Sequence, residues 1–376
     1  MREGPMRPAF DAPIERIVVL RALMLGDMLC ATPALRAIRH HYPKARICLV
    51  GLGWAGPWAA RLDCVDEFIA LPGYPGFPET PADVRALPDF LAQVQDRRFD
   101  LAIQLHGSGA IVNPLLACFG ARNMIGFHDG HCWTPPTPPD SPSWLRWPER
   151  GHESLRLLAL TDHLGMARQG VMPHFDLTDE DRESLAALWP GRPPERYVCV
   201  HAGAQLPSRR WWPERFAALS DALVRRGYEV VLTGGTPEVE LIESVADQME
   251  EEPIVMAGKT DLWSLAALLE GALGVVCNDT GLSHLAAALE KPSVVVSCGS
   301  DVERWAPLNR QLHRVVAADV ECRPCAHRDC PIGHGCATAI EVADVLEACW
   351  FAPPRGTARR AGVRIAAAQG NALNGP

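Results

Sequence analysis

The sequence predicts an α/β protein built of two similar halves, each a parallel sheet with helices packed on it. Three observations predict this. Apolar runs of strand length alternate with helix-patterned segments along nearly the whole chain, which is the grammar of βαβ units. The alternation breaks once, over a proline- and charge-rich stretch from Gln169 to Pro194, and then restarts. The length of 376 residues also suits two domains of about 150 residues better than one small core. With 48% hydrophobic and 22% charged residues, the composition is that of a packed globular chain. A net charge of −9 argues against phosphate-backbone binding, so no nucleic-acid partner is expected. The apolar runs fall far short of a bilayer span, and the segment MREGPMRPAFDAPIER lacks a signal peptide's apolar core, so a cytoplasmic protein is expected.

In chain order, RIVVL from Arg16 reads as a first strand. The segment Asp27 to His41 follows as a helix, with Leu29, Leu35 and Ile38 near helical spacing. RICLVGL from Arg46, FIALP from Phe68 and DLAIQL from Asp100 are further strands, with a helix over Ala82 to Arg97. The proline- and tryptophan-rich stretch His128 to Arg150 reads as an irregular surface excursion, and His152 to Leu164 as a helix. Within the break, DLTDEDRESL makes one helix, and the linker is placed at residues 171–195. Beyond it come the strands YVCVHAG, EVVLTGG, IVMAG, GALGVVC and Pro292 to Cys298. Helices over Pro213 to Arg226, Glu238 to Met249 and Asp261 to Gly271, and a small-residue helix after Gly281, separate them. This divides the chain into Rossmann-like halves at 14–170 and 196–350, with an unstructured tail at 353–376. The cleft between the halves is the default ligand site.

Four segments at strand ends carry polar chemistry. In Cys277-Asn278-Asp279-Thr280-Gly281-Leu282-Ser283-His284, an apolar strand stops at an acid, a hydroxyl and a helix start. Such a turn serves equally as a helix cap through Asp279 or Thr280, or as a site for an anionic group such as phosphate. Gly26-Asp27 follows the first strand, where Asp27 either caps the helix or acts as a general base. After His201, the small residues Gly203 and Ala204 let backbone approach a ligand. Arg209 and Arg210 then precede a helix, either as solvated charges or as partners of a diphosphate. Gly234 and Gly235 end the next strand, where a tight turn explains them locally.

Taken together and in this order, these segments resemble glycosyltransferase family 9, the ADP-heptose heptosyltransferases of the lipopolysaccharide inner core. The resemblance runs through RIVVLRALMLGDMLCATPALRAI, GHESLRLLALTDHLG, HAGAQLPSRRWWPERFAAL, EVVLTGG, GKTDLWSLAALLEGA and NDTGLSHLAAALEKPSVVV. It implies a GT-B fold, two Rossmann-like domains whose parallel sheets face an interdomain cleft. The N-terminal half would hold the sugar acceptor and the C-terminal half the donor. It further implies that Asp27 is the base and that Arg209, where the family usually carries lysine, assists the departing diphosphate. Asp279, Thr280, Gly281 and His284 would then hold the donor sugar and phosphates, and Thr260 would contact the nucleoside. Leu23 stands where many members have serine or threonine.

The implied reaction is an inverting transfer of heptose from ADP-heptose to a hydroxyl of a lipid A–core or other glycan acceptor. A relative acting on a protein or small-molecule acceptor, or a nucleotide-sugar-binding protein without turnover, are the alternatives. No cofactor is expected for catalysis, since no Asp-x-Asp motif occurs outside Asp179-Glu180-Asp181 in the linker. A lipid-linked acceptor would bring the enzyme to the cytoplasmic face of the inner membrane as a peripheral protein.

Residues 322–336 hold Cys322, Cys325, Cys330 and Cys336 with spacing C-x2-C-x4-C-x5-C. In a cytoplasmic chain this density favours a structural zinc or iron site over disulfides, with free thiols as the alternative.

Overall fold

The computed structural model describes residues 12–136, 143–191 and 196–351. The first half contains strands β1 (Arg16–Leu20), β2 (Arg46–Leu52), β3 (Glu67–Leu71), β4 (Leu101–Gln104), β5 (Asn123–His128) and β6 (Trp144–Arg146). They form one sheet in the order β3-β2-β1-β4-β5-β6, and every neighbouring pair is parallel. The second half contains β7 (Tyr197–His201), β8 (Glu229–Leu232), β9 (Ile254–Val255), β10 (Gly274–Asn278), β11 (Ser293–Val296) and β12 (His313–Val316). Their order is β12-β11-β10-β7-β8-β9, again parallel throughout. Counted from its own first strand, each sheet has the same doubly wound order. The direction of winding reverses between β1 and β4 in one sheet, and between β7 and β10 in the other. Ligands in such sheets bind outside the carboxyl ends of strands at the reversal.

The helices of the first half are α1 (Leu25–His41), α2 (Gly56–Ala59), α3 (Leu87–Gln95), α4 (Val112–Ala117) and α5 (Glu153–His163). Helix α6 (Asp179–Leu188) lies within the linker and opens on a capping box between Thr178 and Asp181. The second half adds α7 (Pro213–Arg225), α8 (Val239–Ala246), α9 (Leu262–Gly271), α10 (Gly281–Ala288), α11 (Val302–Trp305), α12 (Gly335–Thr338) and α13 (Val342–Ala348). Because helices cover both faces, the central strands read as continuous apolar runs rather than alternating ones, as in RIVVL and GVVCN. Among the described residues, no helix is long and apolar enough to cross a membrane.

Several expectations change in detail. Helix α1 starts at Leu25, ahead of Asp27, and α3 starts at Leu87 rather than Ala82. The chain before α3 turns through Gly73 and Gly76, both with positive φ, and Pro88 then sets the first helical turn. The tryptophan- and proline-rich excursion is not wholly irregular: Trp144–Arg146 adds an edge strand beside β5, while residues 137–142 lie outside the described residues. The tail assigned to 353–376 also lies outside them.

The halves are joined behind the cleft. Arg61 grips Asp181 of α6 through two hydrogen bonds of 2.6 and 3.0 Å and stacks on Trp263 of α9, 3.5 Å from the ring centre. Arg182 makes a second fork with Glu270 at 2.7 Å. One hydrophobic cluster runs from Ile17 and Leu29 in the first half to Leu268 and Leu285 in the second.

Candidate active site

Past β1 the chain turns into α1 with Arg21 folded inward and fully buried. Its Nε donates to the Asp27 carbonyl at 2.9 Å, and its guanidinium also bonds the Leu105 carbonyl. One Nη lies 3.3 Å from Glu153 and 3.8 Å from the Asp27 carboxylate. Asp27 therefore sits in the first helical turn, where the helix dipole favours an anion, and it does not cap the helix. Burial raises its pKa; Arg21, His284 and Arg304 oppose the rise, and Glu153 adds to it. The side chain keeps 27% exposure, directed at the cavity described below.

The Asn-Asp-Thr-Gly turn closes β10. Asn278 is fully buried and wholly used by backbone: its Oδ1 accepts from Trp211 N–H at 2.9 Å, and its Nδ2 donates to the carbonyls of Ala202 and Gly203. It thereby ties the end of β10 to the loop after β7 and to the segment carrying Arg209. Thr280 is the residue before α10, yet its side chain makes no capping bond, so neither capping expectation holds. The Thr280 carbonyl instead accepts from the backbone and hydroxyl of Ser283. Asp279 and the Thr280 hydroxyl are left to line the cavity, beside the unpartnered N–H groups of a helix start.

His284, one turn into α10, is buried with its Nδ1 3.6 Å from the Cys30 sulfur and its ring packed edge-on to Trp305. Burial disfavours its charge, but the Cys30 sulfur and the carboxylates of Asp279 and Asp27 outweigh that, lifting the pKa to about 9. At neutral pH the imidazole is a cation between two acids. The starts of α1 and α10 abut here. A Cβ on Gly26 would lie 2.6 Å from the His284 ring and 3.3 Å from the Gly281 Cα, so only glycine allows the approach.

A cavity of about 220 Å³ opens at this junction. Met24, Leu25, Gly26 and Asp27 line it from the first half. Gln205, Arg209, Asp279, Thr280, Gly281, His284 and Trp305 line it from the second. Arg209 ends the short turn Pro207–Arg209, and its buried Nε–H has no partner among the described residues. A half-buried guanidinium that lines a cavity and keeps an unused donor is matched to an anionic ligand.

The turn bearing Arg209 is held by the cysteine-rich loop. Ser208 donates from its backbone to the Arg328 carbonyl at 3.0 Å and from its hydroxyl to the His327 carbonyl at 2.6 Å, and its own carbonyl accepts from His334 at 2.8 Å. Of the four cysteines in the loop, Cys336 is buried, Cys322 is exposed, and Cys325 and Cys330 are half-buried. The Cys330 sulfur accepts from His334 N–H. Among the described residues no three or more His, Cys, Asp or Glu side chains come together as a metal-holding group. The loop holds Ser208 through these three hydrogen bonds.

The remaining residues singled out by sequence lie beside the cavity rather than in it. Gly203 and Ala204 follow β7, and Gly234 and Gly235 follow β8. Glu238 occupies the space between them: its Oε2 accepts from Gly235 N–H at 2.9 Å and lies 3.7 Å from the His201 Nε2. A Cβ at Gly203 would meet that carboxylate, the end of a flexible side chain that would have to shift. Thr260 sits in the turn before α9, whose start Asp261 caps, and does not reach the cavity. Sequence reasoning missed Arg21, Glu153, Arg304 and Trp305. Arg21 carried a usable signal, a charged residue directly after an apolar strand; the other three carried none.

Residues 89–335 match the model of glycosyltransferase family 9 (heptosyltransferase). The chain belongs to this family. Lipopolysaccharide heptosyltransferase 3 of Escherichia coli K12 is 26% identical over 311 residues, covering 80% of this chain and 88% of the relative. Among solved structures, a family 9 glycosyltransferase from Veillonella parvula superposes with a TM-score of 0.74 at 22% identity, covering 90% of this chain and 97% of that one. The E. coli ADP-heptose lps heptosyltransferase II gives 0.69 at 21% identity, covering 89% and 97%. The expected family and GT-B fold are thereby borne out, and the chain is a glycosyltransferase of the heptosyltransferase family.

Proposed function

We propose that this enzyme transfers heptose from ADP-heptose to a sugar hydroxyl of the lipopolysaccharide inner core, with inversion at the anomeric carbon. The observation that carries the proposal is the single cavity in which Asp27 of one half faces Arg209, His284 and the start of α10 of the other. Residues 14–170 would bind the acceptor and residues 196–350 the donor. The Asp27 carboxylate takes the proton of the acceptor hydroxyl, and that oxygen bonds to the anomeric carbon as the bond to the diphosphate breaks. The charge released onto ADP falls on the unused Arg209 donor, the His284 cation and the N–H groups opening α10. Asp279 and Thr280 are placed to hold the donor sugar. Gly203, Ala204, Gly234, Gly235 and Thr260 lie farther along the second half, where the nucleoside would extend.

With three cationic elements on the leaving group, turnover needs no divalent metal in this scheme. The spacing of Cys322, Cys325, Cys330 and Cys336 suits a structural zinc or iron, which would brace the loop that holds Ser208. Elemental analysis of the purified protein tests that point, and a metal-free protein would leave the brace to hydrogen bonds. The enzyme would work at the cytoplasmic face of the inner membrane, docking peripherally on a lipid-linked acceptor.

The deciding experiment is Asp27→Asn, assayed by ADP release from ADP-heptose with a core acceptor and by calorimetry with ADP. Turnover should fall at least a thousandfold while ADP affinity stays within about threefold, since ADP would sit on the second half. Retained turnover would remove Asp27 as the base.

A further inference from the structure

The most heavily charged buried cluster outside the cavity centres on Glu153. This carboxylate, the first residue of α5, is 1% exposed and touches three guanidinium groups. Its Oε1 lies 3.3 Å from Arg21, and its Oε2 takes Arg156 at 3.4 Å and Arg304 at 2.9 Å. A buried ion cluster is a poor stability device, because apolar side chains of the same volume usually do as well. Its arrangement suggests another use. Arg21 is shared between Glu153 and Asp27.

Arg304 is the one member contributed by the second half. It lies in α11, whose start Asp301 caps by accepting from the N–H groups of Glu303 and Arg304. Its guanidinium stacks 4.4 Å over the ring of Trp305, which lines the cavity. A second pair, Arg150 with Glu303 at 2.9 Å, crosses the same seam but is solvent-exposed and contributes little.

Within the first half alone the charges cancel: Asp27 and Glu153 against Arg21 and Arg156. Docking of the second half adds one positive charge and gives Glu153 a third partner, while Arg21 stays between Glu153 at 3.3 Å and Asp27 at 3.8 Å. We propose that Glu153 and Arg304 are positioning residues that couple docking of the donor half to the competence of Asp27 as a base. The base is then fully activated only when the half that would carry the nucleotide sugar is in place, which suppresses proton abstraction in an open cleft. The inference rests on the reading of Asp27 given above.

The other groups facing Asp27 are His284 from α10 and Glu79 from the loop before α3, with Arg209 and Asp279 across the cavity. Glu79 and Glu153 work against ionisation of Asp27; Arg21, His284 and Arg304 favour it. Removing Arg304 therefore shifts the balance toward the protonated acid.

The test is the pH profile of kcat/KM for transfer in Arg304→Gln, Arg304→Lys and Glu153→Gln. Arg304→Gln should move the acid limb upward by roughly half a pH unit, lowering kcat/KM only at pH values on that limb, with the donor KM changed less than threefold. Arg304→Lys, which keeps the charge, should return the limb most of the way to wild type, a rescue that a purely structural contact would not show. Melting temperatures of the two Gln variants and their double should be strongly non-additive. Arg304 is one-third exposed, so its variants keep the test open even if Glu153→Gln does not fold. A wild-type protein that transfers no sugar overturns the functional reading itself. Transfer with an unmoved limb in Arg304→Gln, or additive melting shifts, overturns the coupling alone.

Discussion

Replacing Gly26 with alanine should separate activity from stability. The added Cβ would lie 2.6 Å from the His284 ring carbon and 3.3 Å from the Gly281 Cα, against a comfortable carbon–carbon contact of about 3.5–4.0 Å. His284 can turn away only by giving up its contacts with Trp305 and Cys30. Relief otherwise requires α1 and α10 to part by about 1 Å. The first carries Asp27 and the second begins with the groups assigned to the leaving diphosphate, so in-line geometry is lost. A displacement of that size costs about 100-fold in rate. The helix itself prefers alanine by up to about 1 kcal/mol, which offsets part of the strain, so the melting temperature should change little. We expect kcat for ADP release to fall about 100-fold with ADP affinity within about threefold of wild type. Gly53→Ala is the control, because a Cβ there meets nothing within 4 Å. A Gly26→Ala enzyme with kcat within threefold of wild type would refute the close-approach reasoning.

Three further outcomes follow from the site. Asn278→Ala leaves the Trp211 N–H and the Ala202 and Gly203 carbonyls without their buried partner. It should lower unfolding free energy by about 2–4 kcal/mol, read by denaturant titration; a loss under 1 kcal/mol would contradict it. Arg209→Ala should cost about 100- to 1000-fold in kcat, whereas Arg209→Lys, which keeps charge but not the planar fork, should cost about tenfold. Equal losses in the two would show that charge is not what Arg209 supplies. The folded pKa of His284, about 9, lies above its ordinary 6.5, so its contribution is fully present below pH 6.5 and disappears as pH rises through about 9. Wild type should therefore exceed His284→Gln by up to about 3 kcal/mol at pH 6, with the gap closing by pH 10; a gap independent of pH would oppose the assignment.

The doubly wound halves were legible because burial on both faces forces strands such as RIVVL and GVVCN into unbroken apolar runs. The strand NMIGFH, the edge strand at Trp144–Arg146 and the strand HRVV escaped notice because their apolar runs are short and end in polar residues. The polar turns announced the cavity at Asp27, Arg209 and Asp279, seven, eight and one residues past the ends of β1, β7 and β10. Thr280 looked like a helix cap by residue type, yet its hydroxyl is uncommitted, a fact of rotamer and loop shape rather than of composition. The cysteine spacing suggested a compact metal group. In the fold burial raises the pKa of the Cys336 thiol, and Cys322 and Cys330 lie near enough to raise it further, yet among the described residues no metal-holding group of three or more side chains is formed. Glu153 was hidden for another reason: its partners come from β1's end, its own helix and α11, and only folding brings them together.

The repeated topology has an electrostatic consequence at the junction. Each sheet places a helix start at its reversal, and the chain packs α1 against α10 end to end through Gly26 and Gly281. Each helix start carries roughly half a positive charge, so this approach is unfavourable unless anions share the space. Asp27 and Asp279 supply two, but the cationic His284 and Arg209 consume them. The cavity is therefore short of negative charge when empty, and a diphosphate restores the balance better than any neutral sugar could. Two halves with the same fold would thus take opposite tasks from different strand ends, Asp27 in the helix after β1 and the cations Arg209 and His284 around the helix start after β10.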